Sequence, residues 1–136
     1  NVFCLDKTGT LTTGCRVERI EMTAGFSREE VLGLAAGLAR GSTHVTAAAI
    51  ADTAVREGIE ATTVSDARSV AGSGVEGIDP ATGQTVRLGS RRWIEEVVGA
   101  VPRAFWESRC VLAIEERVVA AFWTAEQVRA SAAAAV

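Results

Sequence analysis

The sequence contains little of several residue types that mark particular classes of protein. Its 136 residues include no tyrosine, one histidine and three cysteines. The cysteines are Cys4, Cys15 and Cys110, an odd number with no CxxC spacing. This pattern argues against a disulfide framework and favours reduced thiols in a cytosolic setting.

Long hydrophobic runs and a strong excess of one charge are also absent. No apolar run approaches the roughly 20 residues that a membrane helix needs, and we expect no signal peptide before Asn1. The net charge of -3 gives no reason to expect a nucleic acid or an anionic membrane as a partner. With 48% hydrophobic and 23% charged residues, the composition predicts one soluble globular domain. Because the sequence starts without methionine inside an apolar run, we expect it to be a segment of a longer protein.

The pattern along the chain predicts an α+β fold, in which an antiparallel sheet is flanked by helices. A capping box at Ser27 and Glu30 predicts the start of a first helix. The predicted helices run from Ser27 to Gly41, from Ser42 or Thr43 to Gly58, from Ser90 to about Val98, and from within residues 126–136 onwards. The predicted strands cover residues 1–5, 15–22, 63–70, 74–79 and 84–89, followed by a hairpin around Glu116-Arg117. The opening strand and the closing helix are expected to lie outside the sheet unit.

The stretch VFCLDKTGTLTTG, residues 2–14, ends an apolar run on the carboxylate of Asp6. A carboxylate at the carboxyl end of a buried strand, followed by a glycine turn, faces the crevice where α/β sheets bind ligands. Backbone N–H groups and the Thr8 and Thr10 hydroxyls could hold phosphate oxygens there, and Lys7 adds positive charge. Asp6 could then attack a γ-phosphoryl group and become an aspartyl phosphate. A strand-end aspartate that only makes a turn is the alternative interpretation.

The heptapeptide DKTGTLT, residues 6–12, resembles the phosphorylation signature of P-type ATPases, a branch of the haloacid dehalogenase superfamily. The resemblance implies that Asp6 is the phosphorylated nucleophile and that Lys7 and Thr8 belong to the same catalytic site. It also implies that Asp6 and Thr8 contribute to a Mg²⁺ site that is incomplete in this sequence. Hydrolases of the superfamily carry a second aspartate as acid/base where Thr8 stands here.

Later motifs resemble the compact nucleotide-binding domain of the heavy-metal-transporting branch. That domain carries a His-Pro pair at a helix start, a glycine-rich loop and a later Gly-Asn pair. The resemblance implies ATP contacts at His44, Gly72, Gly74, Gly77, Gly89 and Ser90. A GxGxxG pattern alone is weak, and this one opens no helix of a βαβ unit, so a dinucleotide fold is not predicted. A hairpin with a bulge is the structural alternative for the glycine loop.

The sequence departs from the family pattern at three places around this predicted site. Val45 replaces the proline after the histidine, Ala39 and Thr43 stand where acidic residues are typical, and Ser90 replaces the asparagine. Each lost polar contact is worth about 1 kcal/mol. Three such losses together would weaken ATP binding by on the order of a hundredfold.

The resemblance also implies a division of the chain. Residues 1–12 correspond to a strand and motif of the phosphorylation domain, 13–124 to the nucleotide-binding domain, and 125–136 to the return into the phosphorylation domain. Glu126 and Arg129 stand at the acidic and basic positions of the returning helix. The implied partners are ATP, Mg²⁺ and the phosphorylation, actuator and membrane domains of a pump. The segment would lie on the cytoplasmic side of the membrane without touching the membrane itself.

Features that full activity requires are missing from this sequence. Lys7 is the only lysine, and no downstream acidic loop for Mg²⁺ or Cys-Pro-Cys motif is present. We therefore expect the isolated chain neither to hydrolyse ATP efficiently nor to move an ion, and the sequence does not indicate which ion. Two alternatives stay open. One is a phosphatase similar to haloacid dehalogenases with Asp6 as nucleophile, and the other is a non-catalytic regulatory or interaction domain that has lost its nucleotide.

Overall fold

The computed structural model describes residues 12–23, 25–42 and 45–128, with side chains from residue 16 to residue 125 of these ranges. The elements in chain order are β1 (Thr12–Met22), α1 (Arg28–Ala39), α2 (Val45–Arg56), β2 (Ser65–Val70), β3 (Gly74–Asp79), β4 (Gln84–Gly89), α3 (Arg91–Val98), a 3₁₀ turn (Arg103–Phe105), β5 (Cys110–Ile114) and β6 (Arg117–Val128). None of the helices in these ranges has the length and apolarity that crossing a bilayer requires.

All six strands form one antiparallel sheet in the order β1-β6-β5-β4-β3-β2. Consecutive strands from β2 to β6 are neighbours, as is usual where short turns connect antiparallel strands. The exception is β1, which pairs with β6 although about a hundred residues of chain separate them. The predicted α+β fold with an antiparallel sheet is therefore confirmed.

The first helix begins where its sequence signal predicts. The Ser27 hydroxyl accepts from the N–H of Glu30 at 3.1 Å, and the Glu30 carboxylate accepts from the N–H of Ser27 at 3.0 Å. This reciprocal pair satisfies two N–H groups that would otherwise have no partner at the helix start. Phe26 precedes the cap and packs against the same core as Val31, which is the arrangement of a hydrophobic staple.

Helices α1 and α2 lie side by side on one face of the sheet. α2 presents the small residues Ala47 and Ala54, with Ile50 between them, to the core. A bidentate ion pair joins Arg28 at the start of α1 to Glu57 just after α2, at 2.8 and 2.6 Å. Its hydrogen bonds hold the pKa of the Glu57 carboxyl below its usual value and raise the pKa of Arg28.

The two faces of the sheet carry separate cores because side chains alternate along each strand. On the side of α1 and α2 the larger core includes Ile50, Leu88, Leu112 and Phe122. On the other face, α3 and the 3₁₀ turn cover a smaller cluster composed of Trp93, Ile94, Val101, Phe105, Val111, Ala113 and Ala121. The sheet is thus the middle layer of the fold, with α3 covering only part of its second face.

Four sequence-based boundaries differ from the structure, the first being that β1 begins at Thr12 rather than at residue 15. Residues 126–128, predicted to begin a helix, continue β6, because their backbone pairs with β1 as far as Val128 opposite Thr12. The hairpin turns at Glu115-Glu116, one residue earlier than predicted, since Ile114 pairs with Arg117. β2 begins at Ser65 rather than at residue 63. The predicted strand 1–5 and residues 129–136 lie outside the described residues.

Candidate functional site

A cavity of about 450 Å³ lies between α2 and one end of the sheet. Its volume is within the range of about 300–1,000 Å³ that is typical of small-ligand sites. The helix side is formed by Ser42, Thr46, Ala47 and Ile50. The sheet side is formed by residues 69–75, 88–90, 109 and 110.

The antiparallel topology explains why residues distant in sequence meet at this cavity. In neighbouring antiparallel strands, the start of one lies beside the end of the next. Gly74 at the start of β3 is therefore paired with Gly89 at the end of β4, and β5 begins beside them at Cys110. A hydrogen bond of 2.9 Å from the N–H of Ser90 to the carbonyl of Ser73 links the two loops directly.

Gly72 lies in the turn that connects β2 to β3 and lines the cavity. Its φ of +73° is in the left-handed region, which favours glycine. The turn is closed by a hydrogen bond of 2.9 Å from the N–H of Ser73 to the carbonyl of Val70. A β-carbon at Gly72 would meet no atom within 4 Å, so the residue faces open space.

Gly74 and Gly89 also line the cavity, but packing requires both of them to be glycine. A β-carbon at Gly74 would overlap the carbonyl oxygen of Leu88, and one at Gly89 would overlap the carbonyl oxygen of Ser73. Both would also press into the ring of Trp93, which covers this pair of glycines from the second face of the sheet. Their presence is explained by strand packing, whether or not a ligand binds.

Gly77, the third glycine of the predicted loop, lies elsewhere. It is in the middle of β3, paired with Val86, and is absent from the cavity wall. A β-carbon there would overlap the side chain of Val64 in the segment that leads into β2. The structure therefore brings Gly72, Gly74 and Gly89 together, and it places Gly77 in a packing contact beside β2.

Ser90 lines the cavity and is also the N-cap of α3. Its hydroxyl oxygen accepts from the N–H of Trp93 at 3.2 Å. Serine and asparagine are about equally good at this cap position, so the serine meets the needs of the helix without any ligand. The hydroxyl hydrogen is still able to donate to a bound molecule.

The helix side of the cavity is the first half of α2. His44 falls between Ser42 and Val45 and lies outside the described residues, whereas Ser42 and Thr46 on either side of it line the cavity. Among the positions of departure, Val45 opens α2 and is 53% exposed, and Ala39 is buried in α1 away from the cavity wall. Replacing the buried alanine with an acidic residue would leave a carboxylate without water.

The wall of the cavity is largely apolar. Ile50, Val75, Leu88 and Ala47 are all buried and contribute to it. The buried thiol of Cys110 completes this part of the wall. Apolar walls with a few polar groups are typical of small-molecule binding sites.

Arg109 is the one charged residue in the wall of this cavity, and sequence reasoning did not find it. It belongs to no motif, and its place beside Gly89 and Ser90 results from the pairing of β4 with β5. The only sequence signal near Arg109 was the predicted hairpin after the short helix. That signal predicts a strand and gives no indication of a ligand contact.

No carboxylate lines the cavity, and the described residues contain no group of three His, Cys, Asp or Glu side chains that could hold a metal ion. The residues assigned to Mg²⁺, Asp6 and Thr8, lie outside the described residues, as does Lys7. The residues that the resemblance assigns to Mg²⁺ are therefore not among those that the structure describes.

An ion-pair network ties together the three strands that end at the cavity. Glu76 of β3 lies between Arg68 of β2, with Nε at 2.7 Å, and Arg87 of β4, with Nε at 3.1 Å. The hydrogen bond from Arg68 is the main reason why the pKa of the Glu76 carboxyl is lowered, and Arg87 adds to the effect. The three strands are thus clamped on the face opposite Val75 and Gly77.

No family model matches the sequence. The sequence is 33% identical over 137 aligned residues to the probable copper-transporting ATPase SynA of Synechococcus sp., an alignment that covers 98% of this chain and 17% of the relative. The chain thus spans less than a fifth of the length of that relative.

Solved structures show the same fold. A zinc-transporting PIB-type ATPase superposes with a TM-score of 0.74 and 30% identity, over 96% of this chain and 22% of that one. The N-domain of HMA6, a copper-transporting P-type ATPase, superposes with a TM-score of 0.66 and 21% identity, over 83% of this chain and 100% of the domain. An isolated N-domain therefore has the same arrangement of sheet and helices.

Proposed function

Because this chain is homologous to the copper- and zinc-transporting P-type ATPases, we propose that it is the nucleotide-binding domain of such a pump. In this proposal the cavity between α2 and the ends of β3, β4 and β5 holds ATP. The same proposal includes the phosphorylation, actuator and membrane domains of the pump as partners. It also includes placement of this segment on the cytoplasmic side of the membrane.

One observation carries the proposal. Gly72 and Gly74 from one motif, and Gly89 and Ser90 from another, line one cavity of about 450 Å³ beside the start of α2. His44, from the third motif, immediately precedes that helix in the sequence. Residues of two motifs that a shared ligand would explain thus line one cavity, and the third motif directly precedes the helix that forms its other side.

The described residues suggest how the cavity would hold a nucleotide. The apolar wall of Ile50, Val75 and Leu88 would cover the faces of the adenine ring, which is flat and largely hydrophobic. Gly72 would allow close approach of the ligand to the backbone, because it adds no β-carbon. The Ser90 hydroxyl would donate one hydrogen bond.

Asp6 would be the acceptor of the phosphoryl group in the intact pump. One oxygen of its carboxylate would bond to the γ-phosphorus while the bond from that phosphorus to the bridging oxygen breaks, and ADP would leave with the electron pair. Asp6 precedes β1 by only a few residues, so the acceptor and the proposed ATP domain are directly connected in sequence.

Nuclear magnetic resonance can test the binding step on the chain as it stands. Titration with ATP or its analogue AMP-PNP should shift the backbone amides of Gly72, Gly74, Gly89 and Ser90 in a saturable manner. Gly83 is the internal control, because it lies in the exposed turn at the far end of the β3–β4 hairpin. Absence of any shift at millimolar nucleotide would contradict the proposal and favour the alternative of a regulatory domain that has lost its nucleotide.

A further inference from the structure

A hydrogen bond joins the sheet to the helical layer at the edge of the cavity. Ser69, near the end of β2, donates from its hydroxyl to the carbonyl of Gly41 at 2.9 Å. Gly41 lies just after α1, and the residue that follows it, Ser42, lines the cavity together with Ser69. One side-chain hydrogen bond thus connects the two walls of the proposed nucleotide site.

The alternation of side chains along β2 explains why Ser69 faces the helices. Ser69 is paired with Val75, whose side chain belongs to the larger core on the side of α1 and α2. Arg68, one residue earlier, lies on the second face and donates to Glu76 at 2.7 Å. The two neighbouring side chains therefore connect β2 to the rest of the molecule on opposite faces of the sheet.

Strand β2 lies at the edge of the sheet, so contacts outside the sheet matter for its position. Its single neighbour in the described sheet is β3, and residues 66–69 are exposed. Gly41 lies close to both strands, because a β-carbon there would be 3.5 Å from the Val75 side chain and 3.8 Å from that of Ala67. The loop between α1 and α2 therefore rests on β2 and β3, and the Ser69 hydroxyl binds it there.

We propose that Ser69 is a positioning residue for nucleotide binding, whose bond to Gly41 holds the start of α2 at a fixed distance from the turn at Gly72. The inference rests on the proposed function of the cavity. Gly72 follows Ser69 by three residues, and α2 begins four residues after Gly41, so each end of the bond is close to one wall. A site that already has the width its ligand requires loses less conformational freedom on binding, which increases the affinity.

The test compares the ATP affinity of three variants with that of the wild type, measured by calorimetry. Ser69→Ala should weaken ATP binding by about fivefold, because one hydrogen bond changes an equilibrium by roughly two- to tenfold. Ser69→Thr keeps the hydroxyl and should bind ATP within about twofold of the wild type. Ser65→Ala is the matched control and should leave the affinity unchanged. The Ser65 hydroxyl donates to the carbonyl of Ile78 at 3.3 Å, at the other end of the same strand and away from the cavity wall.

A second measurement separates positioning from direct contact with the ligand, since Ser69 itself lines the cavity. In the protein without nucleotide, Ser69→Ala should lower the heteronuclear NOE of the Gly41 and Ser42 amides, which reports on ps–ns motion of the backbone. Ser69→Thr should leave it unchanged. If Ser69→Ala weakens ATP binding while these amides stay as ordered as in the wild type, the hydroxyl contacts the ligand directly and the positioning role is wrong.

The other possible failures are distinguishable. If the wild type shows no response to ATP, the proposed function is wrong and this inference falls with it. If the wild type binds ATP and Ser69→Ala binds it equally well, only the role of Ser69 is wrong. An equal loss of affinity in Ser65→Ala and Ser69→Ala would also overturn the inference, because it would indicate a general effect on β2.

Discussion

Strand β3 is flanked by two turns, each with a glycine at nearly the same φ. Gly72 precedes the strand with a φ of +73°, and Gly83 follows it with a φ of +76°. At both positions a β-carbon would meet no atom within 4 Å. By sequence and backbone conformation alone, either turn is equally suited to approach a ligand.

The surroundings of the two turns differ. The far turn satisfies its own polar groups: the N–H of Gly83 donates to the carbonyl of Asp79 at 2.7 Å, and the Asp79 side chain accepts from the N–H of Ala81 at 3.1 Å. The near turn faces α2 across a cavity and lies beside Arg109. The turn at Gly72 is a candidate binding element because the sheet topology places a cavity and α2 opposite it. The turn at Gly83 does not line this cavity.

The largest expected difference concerns the free energy of unfolding, compared between the two ends of the β3–β4 hairpin at Gly89 and Gly83. Gly89→Ala should lower the free energy of unfolding by about 3 kcal/mol, because its methyl group would overlap backbone and the Trp93 ring. Gly83→Ala should cost only the strain of a left-handed residue, about 1 kcal/mol. Chemical denaturation measures both. Equal losses would show that the packing at the cavity edge is looser than described.

The second expected effect is protection of a thiol by the ligand. Cys110 is 7% exposed and lines the cavity, so bound ATP should slow its alkylation by about tenfold when ATP is at ten times its dissociation constant. The measurement uses a Cys4→Ser, Cys15→Ser background, in which Cys110 is the only thiol. The control is the same protein unfolded in urea, where ATP should make no difference. An unchanged rate in the folded protein would place nucleotide away from this wall.

The third prediction separates the two turns by function. Gly72→Ala and Gly83→Ala should each lower stability by about 1 kcal/mol, since each forces alanine into a left-handed conformation. Only Gly72→Ala should weaken ATP binding, by about fivefold, because its methyl group would occupy space at the cavity. Calorimetric titration of both variants gives the comparison. Equal affinities in the two variants would remove the distinction between the turns.

The smallest expected effect is a dependence on pH. The pKa of Glu76 is lowered in the folded protein, chiefly by the hydrogen bond from Arg68. Its contribution to stability is therefore fully present above the unfolded-state pKa of about 4.3 and is lost as the pH falls through the lower folded-state pKa. The stability difference between wild type and Glu76→Gln should shrink as the pH falls from 7 to 3. A constant difference would mean that the charge of Glu76 does not support the three strands.

Local signals in the sequence were sufficient for most of the elements. The capping box of Ser27 and Glu30 set the start of α1, and Ser90 correctly marked the start of α3. These signals are reliable because a cap bonds to N–H groups within three residues of itself. The glycine spacing also indicated the turn at Gly72.

Features set by pairing between distant strands could not be predicted. Residues 126–128 carry no strong strand signal and are extended because β1 pairs with them. Arg109 reaches the cavity because β5 pairs with β4, which no local pattern records. Gly77 fits the loop motif by spacing, yet alternation along β3 directs it toward Val64. In each case the contact partner is far away in sequence, so composition and periodicity carry no information about it.

The pairing of Thr12 with Val128 has a consequence for how this module is attached. Because the first and last described strands, β1 and β6, are hydrogen-bonded neighbours, the backbone enters and leaves this module at points only about 5 Å apart. Such a module can be inserted into a loop of another domain without separating the two ends of that loop. Because both connections run through the paired strands β1 and β6 of the same sheet, a rotation of this pair would move the cavity with it.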